Sequence, residues 1–472
     1  MLQWSSLYLL SEWTIRLVML VYVPQQRSAA ASRTWLLLIF LLPWPGLVLY
    51  ALFGRIRVPQ ERIDQQRRAS QRIMDGQTHL LPRVVCQPPL PDYLAHLPAL
   101  AAKLGDFDVF SGNAFEFLPD YADSLARLVG DIDSATHHVH LLTYIFEDDA
   151  TGQQVAQALG RAAKRGVHCR VMADAVGSRA GLAHLTPQLQ RDGIEVVPML
   201  QVGFFRHNAA RFDLRAHRKL AVIDGLIGYA GSQNIVNPEF VPGHPNEELV
   251  ARVTGPIVAQ IQALLLSDYF IEIDSQPDTD RFFPEIPPTG DTAAQILPSG
   301  PGYQRENGAE LFIALIYAAR HRVVLTTPYF VPDEPFLAAL RSATRRGVEV
   351  RLIVSLHGNQ RLTQFAQRSY YEQLLAAGVH VHLYRPHFLH AKHLSVDDSI
   401  ALLGSTNIDI RSFALNAEVS LILYDRAAVT GLRKIQERYL ADSEELDLAS
   451  WRERPLSQRV LQNLARLADS VL

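Results

Sequence analysis

The chain writes one segment twice: HRKLAVIDGLIGYAGSQNI from His217 to Ile235, and HAKHLSVDDSIALLGSTNI from His390 to Ile408. Each copy is His-x-Lys-x4-Asp, with Gly, Ser and Asn at 14, 15 and 17 residues past its histidine. Gly231, Ser232 and Asn234 thus match Gly404, Ser405 and Asn407. A duplication held in register limits the fold more than composition does, because both copies need equivalent scaffolds. The surrounding text repeats as well. HHVHLLTYIFEDDATGQQVAQALGRAAKRGVHCRVMAD and HRVVLTTPYFVPDEPFLAALRSATRRGVEVRLIVS each read as an apolar strand, a helix, an Arg-Gly stop and a β-branched strand. Val155 and Leu159 share a helical face in the first, Leu337 and Leu340 in the second. Such strand–helix–strand units predict the α/β class, here as two pseudo-symmetric α/β domains facing one another.

Side chains two apart on a strand share a face, so His217 and Lys219 are expected side by side, as are His390 and Lys392. If the two copies meet in one pocket, two imidazoles, two ammonium groups, two hydroxyls and two amides converge, with no carboxylate cluster to hold a divalent ion. That inventory suits a phosphodiester. Lysines and amides stabilise charge on non-bridging oxygens, one histidine attacks phosphorus and the other protonates the departing alcohol. A covalent phosphohistidine divides one hard displacement into two easier ones, and water or another alcohol can open it. A carboxylate on the second ring nitrogen would fix each tautomer. Glu248 (or its neighbour Glu247) and Glu418 lie at comparable distances downstream of their histidines. Most of the seventeen histidines, such as His137, His138 and His168, are expected to be structural or surface groups.

Two apolar blocks open the chain, Leu7 to Val23 and Trp35 to Phe53, and both are expected to span a membrane as helices. Glu12 and Arg16 are four apart and can pair on one helix face. Pro43-Trp44-Pro45 interrupts the second block, which a membrane helix tolerates. A cleaved signal peptide is the competing reading of the first block, but it lacks a basic leader and a second apolar block follows at once. Arg27 and Arg33 lie between the blocks, against Arg55, Arg57, Arg62, Arg67, Arg68 and Arg72 after them. The arginine excess predicts an outward-facing loop and a cytoplasmic remainder. The expected organisation is a hairpin of two transmembrane helices in 1–54, a linker over 55–105, a first domain over 106–275, an interdomain linker over 276–303 and a second domain over 304–472. In the last segment Leu456, Val460, Leu464, Leu467 and Val471 form one helical stripe, expected to pack on the body, with a membrane-surface contact as the alternative.

A net charge of −3 gives no nucleic-acid signature. Only five lysines occur, and two of them, Lys219 and Lys392, stand in the repeats, which suggests that a point-charge ammonium is wanted there. Cys86 and Cys169 are far apart and support neither a disulfide framework nor a zinc site.

The duplicated motif resembles the HKD motif of the phospholipase D superfamily. TPYFVPDE (Thr327 to Glu334), DAVGS (Asp174 to Ser178), GSTNIDIRSFALNAE (Gly404 to Glu418) and RFDLRAHRK resemble bacterial cardiolipin synthases in particular. The resemblance implies two phospholipase D-like domains, no cofactor or metal, and membrane phospholipid rather than nucleic acid as partner. It implies an integral, multi-pass protein of the bacterial inner membrane. It also implies the reaction: a phosphatidyl group moves from one phosphatidylglycerol to a second, giving cardiolipin and glycerol through a phosphohistidine.

Carried over, the catalytic set is His217, Lys219 and Asp224 with His390, Lys392 and Asp397. The resemblance assigns the nucleophile to His217 and the general acid, then base, to His390, whereas the residues alone make the halves equivalent. Asp224 and Asp397 are expected to fix the turn after each strand rather than touch substrate. Ser232, Asn234, Ser405 and Asn407 are expected at the phosphoryl oxygens, and Glu248 and Glu418 on the imidazoles. The chain departs from the family at Ala216, where Asn is common. It departs again at Asn246-Glu247-Glu248, where a Trp-basic-Asp run is common, and at His387, where glycine is. Other readings keep the chemistry: a phospholipase, a transphosphatidylase using ethanolamine or serine, or a nuclease, which would be expected to add a basic groove. A non-catalytic membrane scaffold is disfavoured by two intact motifs. The aromatic pairs Phe204-Phe205 and Tyr329-Phe330 are read as core, with a lipid entrance as the alternative.

Overall fold

The computed structural model describes residues 2–26, 29–54, 62–69, 71–72, 84–202, 214–239, 241–273, 280–300, 302–303 and 306–467. Arg27, Arg55, Arg57, Phe204-Phe205 and Val471 lie outside the described residues. The chain forms two compact units, residues 1–59 and residues 60–470.

In the first unit, Leu2–Gln26 is one helix, and among the described residues it alone is long and apolar enough to cross a membrane. The second apolar block departs from the single span expected over 35–53. It is a helix Ala29–Leu41, a break at Leu42, a short helix Pro43–Leu49 and a π turn Tyr50–Gly54. The cause is local: a residue before proline is pushed out of the helical region, and Leu42 sits at φ −132°. Met19, Val23, Trp35, Ile39 and Tyr50 form this unit's small core. Arg16 pairs with Glu12 at 3.4 Å, as the spacing predicts, and also donates to the Phe40 carbonyl at 3.1 Å.

Among the described residues, the second unit is built on one sheet of fifteen strands. The first half gives β1 (Phe110–Leu118), β2 (His138–Thr143), β3 (His168–Asp174), β4 (Glu195–Met199), β5 (Leu220–Ile223), β6 (Ile227–Gly231) and β7 (Val250–Thr254). The second gives β8 (Thr292–Ser299), β9 (Arg322–Thr327), β10 (Glu349–Ser355), β11 (His380–Tyr384), β12 (His393–Val396), β13 (Ile400–Gly404), β14 (Glu418–Leu423) and β15 (Ser443–Glu445). Their order is 4-3-2-5-6-7-1-8-14-13-12-9-10-11-15. It reads the same outward from the β1–β8 seam in both directions, with β15 added at one edge. The duplication in the text is thus a duplication of topology.

Helices cross between parallel strands as the sequence suggests. Asp149 caps helix Ala150–Lys164 by accepting from Gly152 N at 2.9 Å, and Asp333 caps Glu334–Arg345 by accepting from Phe336 N at 3.0 Å. One boundary moves. The stretch 276–303, expected as a linker, carries β8, which is buried along its whole length. β8 pairs with β1 and β14, so it opens the second half instead of connecting to it. The stretch 55–105 likewise contributes a helix, Leu97–Gly105, whose Leu97, Ala101 and Leu104 are buried. One apolar cluster draws Leu220, Val222 and Ala251 from the first half and Ala401, Leu403 and Leu421 from the second. The halves share a core.

Candidate active site

Neither His-x-Lys triplet lies within the strand that follows it; β5 begins at Leu220 and β12 at His393. Each triplet is instead held by a short parallel ladder to the opposite half. Ala216 bridges Ala417, with His217 N donating to Ala417 O at 2.9 Å and Ala417 N to Arg215 O at 2.8 Å. In the second half, Phe388 and Leu389 pair with Asn246 and Glu247, and His390 N donates to Glu247 O at 2.8 Å. One residue further along each ladder, a histidine meets a glutamate from the other half. His217 Nδ1 lies 2.9 Å from Glu418 Oε2, and His390 Nδ1 lies 2.6 Å from Glu248 Oε1. The sequence marked both glutamates but placed each with the histidine upstream of it in its own half; the pairing is crossed. Glu247 takes no imidazole and pairs with Arg438 at 2.8 Å.

Each glutamate is fixed in turn by its own half. Ser232 donates to Glu248 and accepts from Leu249 N at 2.9 Å; Ser405 donates to Glu418 and accepts from Val419 N at 3.0 Å. Ser232 and Ser405 were expected at the phosphoryl oxygens. Their hydroxyls are fully buried and spent on the carboxylates instead. The preceding glycines make this approach possible: a Cβ on Gly231 would meet Leu249 O at 2.4 Å, and one on Gly404 would meet Val419 O at 2.1 Å. Asn246 Nδ2 adds a bond to Glu248 at 3.1 Å and Asn416 Nδ2 one to Glu418 at 3.3 Å. Sequence reasoning missed these two asparagines. The signal was there, since Asn-x-Glu occurs at 246–248 and at 416–418.

Lys219 donates to His217 O at 2.7 Å, and Lys392 donates likewise to His390 O. Both lysines are buried, and burial pulls their ammonium groups down to about 7 for Lys219 and about 8 for Lys392, against the opposing pull of Glu418 and Glu248. The imidazoles are lowered too, first by burial and then by the ammonium groups of both halves, His390 to about 4, despite the raising effect of their glutamates. Burial pushes Glu248 and Glu418 up, but histidine, lysine and serine together outweigh it and leave both below the ordinary carboxylate value. The resting state is therefore two neutral imidazoles with Nδ1–H on an ionised carboxylate, which leaves the Nε2 lone pair available. Each histidine also senses the lysine of the other half, so the two motifs form one electrostatic site.

The halves differ around this frame. Tyr144 lies against His217, ring centroids 4.8 Å apart, and 5.4 Å from Lys219 Nζ, whereas Phe388 flanks His390 at 5.6 Å. Asp174 anchors the first motif by accepting from Ala216 N at 2.8 Å and from Arg215 at 3.0 Å; at the matching strand end, Ser355 Oγ accepts from Leu389 N at 3.0 Å. Arg218, between His217 and Lys219, points away into a buried pair with Asp268. Asn234 Oδ1 accepts from Ile145 N at 3.2 Å, whereas the buried Asn407 Oδ1 has no hydrogen-bond partner among the described residues. Phe330 is buried, and Tyr329 donates to Asn359.

Asp224 and Asp397 stand apart from this chemistry, at the far end of β5 and β12, roughly 20 Å of extended chain from their histidines. Both adopt a left-handed backbone, φ 54° and 47°. Asp224 accepts from the amides of Thr136, His137 and His138 at 2.8–2.9 Å, and Asp397 from those of Arg320, His321 and Arg322 at 2.8–3.0 Å. They tie the turn to the start of the neighbouring strand. This is the turn-fixing role expected of them, so within the catalytic set they serve as scaffold anchors.

The seam defines a class: duplicated phospholipase D-like domains that each contribute one His-x-Lys triplet to a single site. Comparison with known proteins narrows it. A family described as "Cardiolipin synthase, PLD-like domain" matches residues 128–269 and 312–440, and one described as "Phospholipase_D-nuclease N-terminal" matches 13–55. Cardiolipin synthase A of Yersinia pseudotuberculosis serotype O:1b (strain IP 31758) is 32% identical over 480 residues, covering 98% of this chain and 97% of that protein. The chain belongs to the cardiolipin synthase family of phospholipase D-like proteins. Among solved structures, phosphatidylserine synthase of Haemophilus influenzae Rd KW20 shares the fold, with a TM-score of 0.61 at 16% identity over 86% of this chain and all of that one.

Proposed function

We propose that the protein is a cardiolipin synthase, moving a phosphatidyl group from one phosphatidylglycerol to the glycerol hydroxyl of another. The reciprocal pairing His217–Glu418 and His390–Glu248 carries this reading, because it aims two neutral imidazoles from opposite halves at one site. In the first step, His217 Nε2 attacks phosphorus. The bound phosphodiester's negative charge lets His390 Nε2 first take up a proton from solvent; as the bond to the headgroup glycerol breaks, His390 passes that proton to the glycerol oxygen, leaving a phosphatidyl-histidine. In the second, His390 takes the proton from the hydroxyl of another phosphatidylglycerol, whose oxygen displaces His217 to give cardiolipin. Each ammonium has three donors and spends one on its own histidine's carbonyl, which leaves donors for the phosphoryl oxygens. The side-chain NH2 groups of Asn234 and Asn407 are the further donors this reading assigns to the phosphoryl oxygens, the carbonyl of Asn234 being spent on Ile145 N.

The same reading places the chain in the bacterial inner membrane with two passes. Supporting this, the two apolar blocks and the arginine excess after them fit a pair of crossings, and the N-terminal family match runs over 13–55. Residues 29–54 turn back on themselves, the Tyr50 ring lying 5.3 Å from that of Trp35, so the second crossing rests on composition rather than on one extended helix. The test is product analysis of the purified protein in detergent with phosphatidylglycerol, ethanolamine, serine and water competing. Cardiolipin and free glycerol in equal amounts support the reading. Phosphatidic acid or another headgroup as the dominant product would replace it.

A further inference from the structure

The C-terminal helix Leu456–Arg466 seats on the body by its polar side. Its buried residues are Gln462 and Ala465, while the stripe expected to pack inward faces solvent. Leu456 is 72% exposed, Val460 48%, Leu461 54%, Leu464 56% and the following Leu467 71%. At about 100° per residue, Leu456, Leu467, Val460 and Leu464 fall within an arc of roughly 80°, with Leu461 beside them, and Gln462 and Ala465 lie across the helix. Polar anchoring of this kind leaves an apolar ridge on an otherwise soluble-looking surface.

Charge identifies what covers the ridge. Residues 456–467 contain Arg459 and Arg466 and no acidic residue, and Arg452, Glu453 and Arg454 precede them, so 452–467 carries four arginines against one glutamate. Arg466 lies over the Tyr370 ring at 4.6 Å and Arg459 lies 4.0 Å from Glu372, so both guanidinium groups sit along one edge of the ridge, on the body side. An apolar stripe edged by arginine fits the boundary of an anionic bilayer, with leucines among the upper acyl carbons and guanidinium groups at phosphate level.

We propose that this face docks the second unit on an anionic phospholipid surface, an assignment that rests on the lipid-substrate reading only for its choice of occupant. The test uses the full chain in proteoliposomes, with Cys86→Ser to remove the accessible thiol and an environment-sensitive fluorophore on Leu464→Cys. Gln458→Cys, exposed but about 160° around the helix from the middle of the ridge, serves as control. Vesicles contain acyl-brominated phosphatidylcholine alone or in equimolar mixture with phosphatidylglycerol. Blue-shifted emission and quenching at 464, well above those at 458 and stronger with phosphatidylglycerol, are expected. Unquenched, unshifted emission at 464 in both vesicles overturns the proposal. A shifted but unquenched signal, with disulfide cross-linking between copies through 464, also overturns it and makes a second chain the occupant. Quenching in a protein that makes no cardiolipin leaves the docking surface standing and removes the functional reading instead. As a second variant, Val460→Ser/Leu464→Ser should lower turnover several-fold on vesicles while leaving turnover of short-chain, micelle-free phosphatidylglycerol unchanged. Equal loss on both substrates speaks against docking.

Discussion

Glu418 holds His217 at 2.9 Å although 201 residues separate them, and it comes from the half of the protein that His217 does not belong to. With Glu248 on His390, each motif histidine takes its carboxylate from the other half. A change confined to one half therefore disables a histidine in the other.

Replacing either glutamate by glutamine should act on the chemical step. The amide keeps the shape but no longer accepts Nδ1–H as a carboxylate does, so the wrong tautomer becomes available. Steady-state kinetics of Glu418→Gln and Glu248→Gln should show kcat lower by on the order of 10³–10⁴, with KM changed little. Wild-type kcat in either variant contradicts the orienting role.

Ser232→Ala and Ser405→Ala separate support from substrate contact. Each hydroxyl donates to a glutamate and accepts from a backbone amide, so its loss leaves buried groups unpaired, at about 1–3 kcal/mol of stability. Thermal unfolding should shift down and kcat should fall, with KM unchanged. A raised KM at full kcat would return the serines to the phosphate.

Asp224→Asn should lower stability and leave kcat near wild type, because the carboxylate serves three backbone amides away from the seam. Its folded value is depressed: burial raises it, but the amides of Thr136, His137 and His138 outweigh that. Its contribution is thus fully present above the unfolded value of about 3.9 and disappears as pH falls through the lower folded value. Wild-type unfolding curves should show more acid sensitivity in that window than those of the variant.

The buried lysines give opposite trends for activity and stability. In the free enzyme Lys219 loses its proton near about 7 and Lys392 near about 8, so kcat/KM should fall on the alkaline side with apparent values in that range. A bound phosphate favours the charged form, which moves the kcat limb to higher pH. Because the unfolded lysines keep their protons to about 10.4, the unfolded chain binds more protons in between, and stability contributed by these two residues rises with pH there. A kcat/KM profile flat to pH 10 contradicts the depressed lysines.

What the sequence disclosed follows from what is local. The repeat, the capping aspartates and the Arg-Gly stops are short-range signals, and matching offsets implied matching scaffolds. The crossed His–Glu pairing is set by ladders between residues 142 and 201 positions apart, and no local pattern encodes which half a carboxylate faces. β8 was hidden because its prolines and glycines lie around a buried TAAQIL run whose Gln295 is satisfied by Phe107 O and Tyr424 OH. The stripe from Leu456 to Leu467 misled because apolar periodicity marks a face that leaves water and is silent on what it enters.

On this mechanism a covalent intermediate formed in one half is resolved by the other. Rapid quenching of the His390→Ala variant reacted with phosphatidyl-p-nitrophenol, whose leaving group departs without a proton from His390, followed by peptide mass spectrometry, tests this. A phosphatidyl or phosphoryl adduct on His217 that persists in the variant and turns over in the wild type is the predicted result. No adduct on either histidine, or one at His217 that decays at the wild-type rate without His390, would contradict it.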